Sequence, residues 1–311
     1  MMNKDLVLSR NDLVIYLFHG VIEWSDYTVR NYTRKHLEKD CFYEFIKENR
    51  KVGHPLSMDD VVEHHKTGEP YPPFSFAVTF DDGFENNYSI AAPILKDLSV
   101  PATFYITTDF IENNHMSWTD RIEYCLEATS EGQLSFFWNN SNNIFKNRED
   151  KIYLLEHLRS HVKQDPSINI SDLVSDIFLQ CGLDEIEQSN DPLDLKMSWN
   201  QICELNNDEN FLIGGHSHSH PILSFLKDLE LESEIKTSID LLYKETNIKS
   251  QHYAYPEGLD YCYSDNVIKV LKNHGVVCCP TAEYGLNHVN SDLFRLKRIL
   301  VDLNSDCLCV E

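Results

Sequence analysis

The stretch that decides the fold is Phe76-Ala-Val-Thr-Phe-Asp81-Asp82-Gly83, an apolar run that ends in two carboxylates and a glycine. Residues 76–80 are predicted to form a short buried strand. Aspartate is a poor strand residue and Gly83 permits a tight turn, so the strand should end there. The two acids are then expected at the carboxyl end of a strand, where α/β proteins place their chemistry. The alternative interpretation is a turn with two solvated acids.

A second apolar run also ends in polar residues: Phe211-Leu-Ile-Gly-Gly-His216-Ser-His218-Ser-His220-Pro221. His216 and His220 are four residues apart, so on a helical turn both imidazoles would project to the same side and His218 away from them. Imidazole and carboxylate together suit zinc and related divalent ions, and one Asp with two His leaves a coordination position open. The alternative is a histidine-rich surface turn.

These two stretches resemble known motifs. Thr79-Phe-Asp-Asp-Gly83 and His216-Ser-His-Ser-His-Pro221 resemble the first two motifs of the NodB-type polysaccharide deacetylases (carbohydrate esterase family four). Three further stretches are similar to this family, and together they extend the resemblance over about residues 10–112 and 196–302. They are Met197-Ser-Trp-Asn-Gln201, Tyr253-Ala-Tyr-Pro-Glu-Gly258 and Phe294-Arg-Leu-Lys-Arg-Ile299.

The resemblance implies hydrolysis of an N-acetyl group on an amino sugar or glycan precursor. It implies that Asp82, His216 and His220 bind a divalent metal, and their ligand types favour Zn²⁺ over cobalt, nickel or iron. It further implies that Asp81 is the general base. The backbone N–H of Glu257, which follows Pro256, would donate to the oxyanion.

Two features depart from the family pattern. Glu257 stands where an aromatic residue is usual, and an extra carboxylate near an oxyanion is unfavourable unless it points away or binds substrate. The Leu-any-His motif that supplies the general acid in many relatives has no clear counterpart. The candidates for that role are His19, His115, His252 and His288. Lys297 or Arg298 could anchor substrate or orient Asp81, although a structural ion pair is an equal alternative for Arg298.

The order of apolar runs and helical patterns predicts an α/β fold, with seven strands alternating with helices. The predicted strands are residues 13–18, 76–80, 101–107, 211–214, 252–255, 276–279 and 296–301. Helices are predicted over residues 34–48, after an N-cap at Ser57, and over residues 88–98, 228–246 and 266–273. The resemblance implies a distorted parallel (β/α)7 barrel of NodB type. Residues 115–196 break the alternation and predict a mostly helical insertion beside the active-site mouth. We therefore expect one domain over residues 1–311, with the insertion inside it.

The composition restricts the partners and the compartment. A formal net charge of −23 over 311 residues argues against nucleic acid and anionic membrane surfaces. The sequence shows no secretory leader and no membrane-span pattern. Nine scattered cysteines predict reduced thiols in a cytoplasmic protein, with Cys307-Leu-Cys309 a weak metal candidate. The oligomeric state is left open.

The leading hypothesis is a cytoplasmic, metal-dependent sugar N-deacetylase. One alternative keeps the metal and hydrolyses a formamide or another small amide. The other is a catalytically impaired relative that binds carbohydrate; the missing acid motif favours it, and the intact Asp81 argues against it.

Overall fold

The structure is a computed structural model that describes residues 11–24, 26–138 and 142–302. The described residues form ten strands. They are β1 (Leu13–Phe18), β2 (Gly20–Ile22), β3 (His36–Glu38), β4 (His54–Pro55), β5 (Ser75–Phe80), β6 (Ala102–Ile106), β7 (Gly132–Ser135), β8 (Asn142–Phe145), β9 (Phe211–Gly215) and β10 (Ile299–Leu300).

Ten α-helices accompany these strands in the described part of the chain. They are α1 (Lys39–Val52), α2 (Met58–Thr67), α3 (Ala92–Asp97), α4 (Thr108–Asn113), α5 (Trp118–Ala128), α6 (Arg148–Val162), α7 (Ile170–Cys181), α8 (Trp199–Asn206), α9 (Asp228–Thr246) and α10 (Asp265–Asn273). A π-helical turn at Asn87–Ala91 precedes α3. None of the helices in the described ranges is long and apolar enough to cross a bilayer.

A parallel sheet organises the barrel part of the chain, with the strand order β10-β1-β5-β6-β9 and β4 paired to β5. All six residues of β5 are buried, as expected for a central parallel strand covered on both faces. Inside this strand, the hydroxyl group of Thr79 donates a hydrogen bond to the carbonyl of Tyr16 at 2.8 Å. The carboxyl ends of β1, β5, β6 and β9 therefore lie at one edge of the sheet.

The sheet becomes irregular beyond β9. The strands predicted over residues 252–255 and 276–279 are wrong as strands, because only single parallel bridges form there, Gly215 with Tyr253 and His252 with Cys278. Pro256 and Pro280 directly follow the two segments and have no N–H to extend a ladder. The order and direction of the two segments nevertheless agree with a parallel barrel.

The helix predictions succeed where capping or periodicity is strong. Ser57 caps α2 as predicted, accepting from the Asp60 amide at 3.1 Å while Asp60 Oδ2 accepts from the Ser57 amide at 2.9 Å. The helix predicted from Arg34 is wrong at its start, since residues 36–38 pair with β2 and α1 begins at Lys39. The helix predicted from Tyr88 begins as the π-helical turn.

The segment between β6 and β9 is mostly helical, as predicted. Its helices α5, α6 and α7 and the antiparallel hairpin β7–β8 enclose a separate hydrophobic cluster that includes Ile122, Leu155 and Ile177. Val29, from the loop before β3, packs into the same cluster. The division into one domain with an insertion at 115–196 stays a prediction. The Cys307–Cys309 pair lies outside the described residues.

Candidate active site and metal centre

The turn after β5 separates the two adjacent carboxylates. Asp82 and Gly83 both have positive φ, 75° and 83°, so the chain reverses in the left-handed region immediately after the strand. A Cβ on Gly83 would lie 2.9 Å from Ile111 Cδ1, which adds a steric reason for glycine. The turn places Asp81 against Arg298 and Asp82 against His216 and His220, although Asp81 Oδ2 also lies 3.8 Å from His216 Nε2. Both aspartate side chains are almost fully buried.

The histidine segment is a bent loop after β9, so the predicted helical turn is wrong. Ser217 and His220 have φ values of 65° and 62°, and the His220 amide donates to Ser217 Oγ at 2.9 Å. This loop still brings the rings of His216 and His220 to 5.0 Å between centroids, on the same side as predicted. His218 lies apart, with Nδ1 2.9 Å from Thr108 Oγ1.

Asp82, His216 and His220 converge on one point. Asp82 Oδ1 is 3.4 Å from His220 Nε2 and 3.6 Å from His216 Nε2. The three candidate ligand atoms all lie within 4.8 Å of one another. Asp82 Oδ1 is buried and accepts no hydrogen bond from the described residues. A buried carboxylate oxygen without a donor, facing two imidazoles, fits a divalent cation.

The hydrogen bond on the far side of His216 is consistent with this use. His216 Nδ1 lies 2.9 Å from the Ala254 carbonyl, to which it can only donate. A proton on Nδ1 leaves the Nε2 lone pair facing Asp82 in the neutral ring, and such carbonyl contacts orient metal-binding histidines.

The charges around Asp82 keep it ionised. Burial alone would raise the pKa of Asp82, but His220 and Lys35 outweigh burial and hold this pKa well below its usual range. Lys35 Nζ is 3.7 Å from Asp82 Oδ2 and 3.0 Å from Asp120 Oδ1. Lys35 therefore bridges a candidate metal ligand and helix α5 of the insertion.

Arg298 holds Asp81 through two parallel hydrogen bonds. Arg298 Nη1 and Nη2 donate to Asp81 Oδ1 and Oδ2, each at 2.8 Å. Arg298 Nε donates to the Thr281 carbonyl at 2.6 Å, which fixes the guanidinium plane. Burial would raise the pKa of Asp81, but Arg298 lowers it below its ordinary value. For Arg298 the sequence left two alternatives open, a structural ion pair and a residue that orients Asp81. The structure shows one contact, with Asp81, that fits both.

Glu257 lies in a tight turn after Pro256. Its φ is 60°, and the Gly258 amide donates to the Pro256 carbonyl at 2.7 Å. Among the hydrogen bonds of the described residues, the Glu257 amide donates none, so its N–H is available. Its carboxylate pairs with Lys163 from the end of the insertion helix α6. The oxyanion role of its amide stays a prediction.

The four candidate general acids are scattered. His252 pairs with Asp59 at 2.7 Å and His288 with Asp12 at 2.8 Å, and Asp12 directly precedes β1, at the amino end of the sheet. His115 pairs with Asp109 at 3.0 Å at the start of the insertion.

His19 follows β1 and interacts electrostatically with Asp82 and Asp81. Burial lowers the pKa of His19 to about 4 despite both acids. Its imidazole is therefore neutral at physiological pH in the described structure, which suits a general acid poorly.

Four charged residues of the site were missed from the sequence: Lys35, Asp120, Lys163 and Lys196. Lys196 Nζ lies 4.0 Å from the ring centroid of Phe84, and burial lowers the pKa of Lys196 to about 8. Its one sequence signal is its position directly before the Met197-Ser-Trp199 stretch. Lys35, Asp120 and Lys163 had no signal, because none of them follows a predicted strand.

The fold and the site define a parallel α/β protein with a candidate divalent-metal centre at the carboxyl ends of its strands. The chain belongs to the polysaccharide deacetylase family, whose sequence model matches residues 68–279. No curated protein matches the chain. The match confirms the predicted family and with it the fold class, a distorted parallel (β/α)7 barrel of NodB type with a mostly helical insertion.

Solved structures of other proteins are similar over nearly the whole chain. Deacetylase PplD of Streptococcus pyogenes, in complex with acetate, has 17% identity and a TM-score of 0.59, covering 94% of this chain and 93% of its own. IcaB from Ammonifex degensii has 16% identity and a TM-score of 0.61, with coverages of 95% and 93%. A de-N-acetylase from Aggregatibacter actinomycetemcomitans has 12% identity and a TM-score of 0.58, with coverages of 94% and 95%. At these identities the likeness concerns the fold alone.

Proposed function

We propose that this protein is a metal-dependent hydrolase that removes an N-acetyl group from an amino sugar or glycan precursor, giving a free amine and acetate. The observation that carries the proposal is the convergence of Asp82, His216 and His220 beside an ionised Asp81. Membership in the polysaccharide deacetylase family supports the reaction, and so do the structural relatives described as deacetylases.

Each residue has a distinct task in this reaction. Asp82, His216 and His220 would hold the divalent ion, which we propose is Zn²⁺ from the ligand types. The ion would polarise the acyl carbonyl and lower the pKa of water from about 16 toward about 7. Asp81, held as a carboxylate by Arg298, would accept the proton of the attacking water. The Glu257 amide would donate a hydrogen bond to the developing oxyanion.

The buried contact between Asp81 and Arg298 favours an enzyme over the carbohydrate-binding alternative. A binding protein has no need of a carboxylate kept free of protons and fixed by two hydrogen bonds. The amide or formamide alternative uses the same residues, so only the substrate separates it from sugar deacetylation. We also propose a cytoplasmic location, supported by the seven free cysteines among the described residues.

Metal analysis followed by acetate release tests the proposal. The purified protein should contain about one equivalent of divalent metal, since the described residues hold one cluster of three candidate ligands. It should release acetate from at least one member of a panel of N-acetylated sugars and oligosaccharides. Chelation should abolish the release, and added Zn²⁺ should restore it. A metal-loaded protein that hydrolyses neither acyl sugars nor simple amides would contradict the proposal.

A further inference from the structure

The insertion reaches the active site through one ion pair. Lys163 directly follows helix α6, and its ammonium contacts the carboxylate of Glu257. The two side chains are mostly buried, with exposed fractions of 17% and 20%. The contact joins residues 94 positions apart in the chain, one from the insertion and one from the turn after Pro256.

Glu257 brings a charge that the proposed reaction does not need. Its backbone N–H is the candidate oxyanion donor, and its carboxylate also interacts electrostatically with His220, a candidate metal ligand. Burial lowers the pKa of His220, and the carboxylates of Asp82 and Glu257 oppose this lowering. An uncompensated carboxylate at this position would oppose the negative charge that develops on the acyl oxygen.

The end of α6 supplies the compensating positive charge. Lys163 pairs with Glu257 directly, and the Lys163 amide donates to the Arg159 carbonyl at 3.1 Å, which keeps the residue on the helix end. Arg159 faces the same region but is itself engaged, with Nη1 3.4 Å from Glu123 Oε1. Cations are favoured at the carboxyl end of a helix, so Lys163 stands where its charge is stabilised.

We infer that Lys163 is a positioning residue for deacetylation, which neutralises Glu257 and holds the turn at residues 256–258 with its amide directed at the acyl oxygen. The inference rests on the proposed function. It makes the insertion a component of the active site, because the barrel alone would leave Glu257 unpaired beside His220.

An ion pair that only stabilises the fold and an ion pair that neutralises a carboxylate near the oxyanion should respond differently to substitution of their two partners. If the pair only stabilises the fold, removal of either partner should have a similar effect. If Lys163 acts by neutralising Glu257, its loss leaves a buried carboxylate near the oxyanion, whereas the loss of the carboxylate removes the difficulty. The Gln side chain has the same shape as Glu, so Glu257→Gln should keep the turn.

The experiment compares Lys163→Met, Glu257→Gln and the double variant by kcat, KM, metal content and melting temperature. We expect Lys163→Met to lower kcat about 10- to 100-fold and to keep KM within about threefold of the wild type. This loss in kcat is smaller than that expected on removal of a direct oxyanion donor. The double variant should stay within about threefold of Glu257→Gln in kcat, because Lys163 then has no carboxylate to neutralise. Lys163→Arg should retain most activity because it keeps the charge.

An unchanged kcat in Lys163→Met would overturn the inference. A double variant about tenfold slower than Glu257→Gln would also overturn it, since Lys163 would then act without the carboxylate. That last comparison remains decisive if Lys163→Met alone does not fold. Lys236→Met is the matched control, because Lys236 forms an exposed ion pair with Asp240 on α9.

Zinc affinity provides a measurement that needs no turnover. An unpaired Glu257 near His220 should tighten Zn²⁺ binding by about threefold in Lys163→Met, and the double variant should match Glu257→Gln. If the wild type releases no acetate but this shift appears, the proposed function fails and the charge compensation stands. If the affinity is unchanged, the inference fails even when the wild type is active.

Discussion

The barrel and the insertion contribute to the same site in different ways. The barrel supplies the proposed metal ligands Asp82, His216 and His220 and the proposed base Asp81, which follow strands β5 and β9. The insertion supplies charges that contact these groups only through others, such as Asp120 through Lys35. The proposed chemistry thus lies at the strand ends of the sheet, and the insertion helices add further charges around it.

The two regions also differ in how firmly their ion pairs are held. The Arg298–Asp81 pair is at most 5% exposed and has two hydrogen bonds of 2.8 Å, whereas the Lys163–Glu257 pair is about one-fifth exposed. Buried pairs lose most when one partner is removed, because the other charge is left without compensation. Substitutions in the barrel should therefore have larger effects than those in the insertion.

The largest effect is expected from Asp81→Asn. Asparagine keeps the size of the side chain but cannot accept a proton, so kcat should fall by about 10²–10⁴-fold. The metal should remain bound, since Asp82, His216 and His220 are intact. Acetate release with metal analysis on the same sample measures both quantities. A variant with nearly full activity would refute Asp81 as the base and remove the main chemical difference between the two regions.

Arg298→Met should have the next largest effect. It leaves the Asp81 carboxylate buried without its partner and should reduce the free energy of unfolding by about 3–5 kcal/mol. Arg298→Lys should lose less stability than Arg298→Met, but lysine cannot form the bidentate contact with Asp81. Urea unfolding measures both. If Lys163→Met were equally destabilising, the contrast between a firmly held barrel pair and a looser insertion pair would be wrong.

A smaller effect concerns pH and Glu123 of the insertion. Burial and the nearby Asp120 raise the pKa of Glu123 from 4.5 to about 7. The folded state then binds more protons than the unfolded state between these values. Stability from this group is therefore complete below about pH 4.5 and is lost as the pH rises through about 7.

Glu123→Gln should remove this slope, and above pH 7 it should raise the free energy of unfolding by about 1–3 kcal/mol. Unfolding at a series of pH values measures the change, with Glu149→Gln on the exposed start of α6 as the control. An unchanged slope would show that Glu123 is ionised in the fold and that the insertion carries more negative charge than described.

The smallest effect is expected at the opposite end of the sheet. His288 is exposed and pairs with Asp12, which directly precedes β1, so His288→Ala should change kcat by less than about twofold. A large fall in kcat would place a proton donor at the end of the sheet opposite Asp82, His216 and His220. Such a result would also contradict the proposal that the catalytic residues lie at the carboxyl ends of the strands.

Much of the fold could be predicted because its signals are local. Helix α9 and strand β1 have the predicted bounds, since their periodicity and apolar runs are uninterrupted. The start of α1 was mispredicted because residues 36–38 have helical neighbours in sequence but a strand partner in space. The histidine loop was mispredicted because residues with positive φ other than glycine leave little trace in a sequence.

The sequence by itself determined the family, because its motifs are local, and through that resemblance it named the candidate metal ligands Asp82, His216 and His220. Their placement directly after apolar strands fits one edge of a parallel sheet. Only the tertiary structure decided which charges surround them. Arg298 and Asp81 are 217 positions apart, and Lys163 and Glu257 are 94 apart. Pairings over such separations depend on how strands and insertion helices pack, and neither residue spacing nor composition encodes that packing.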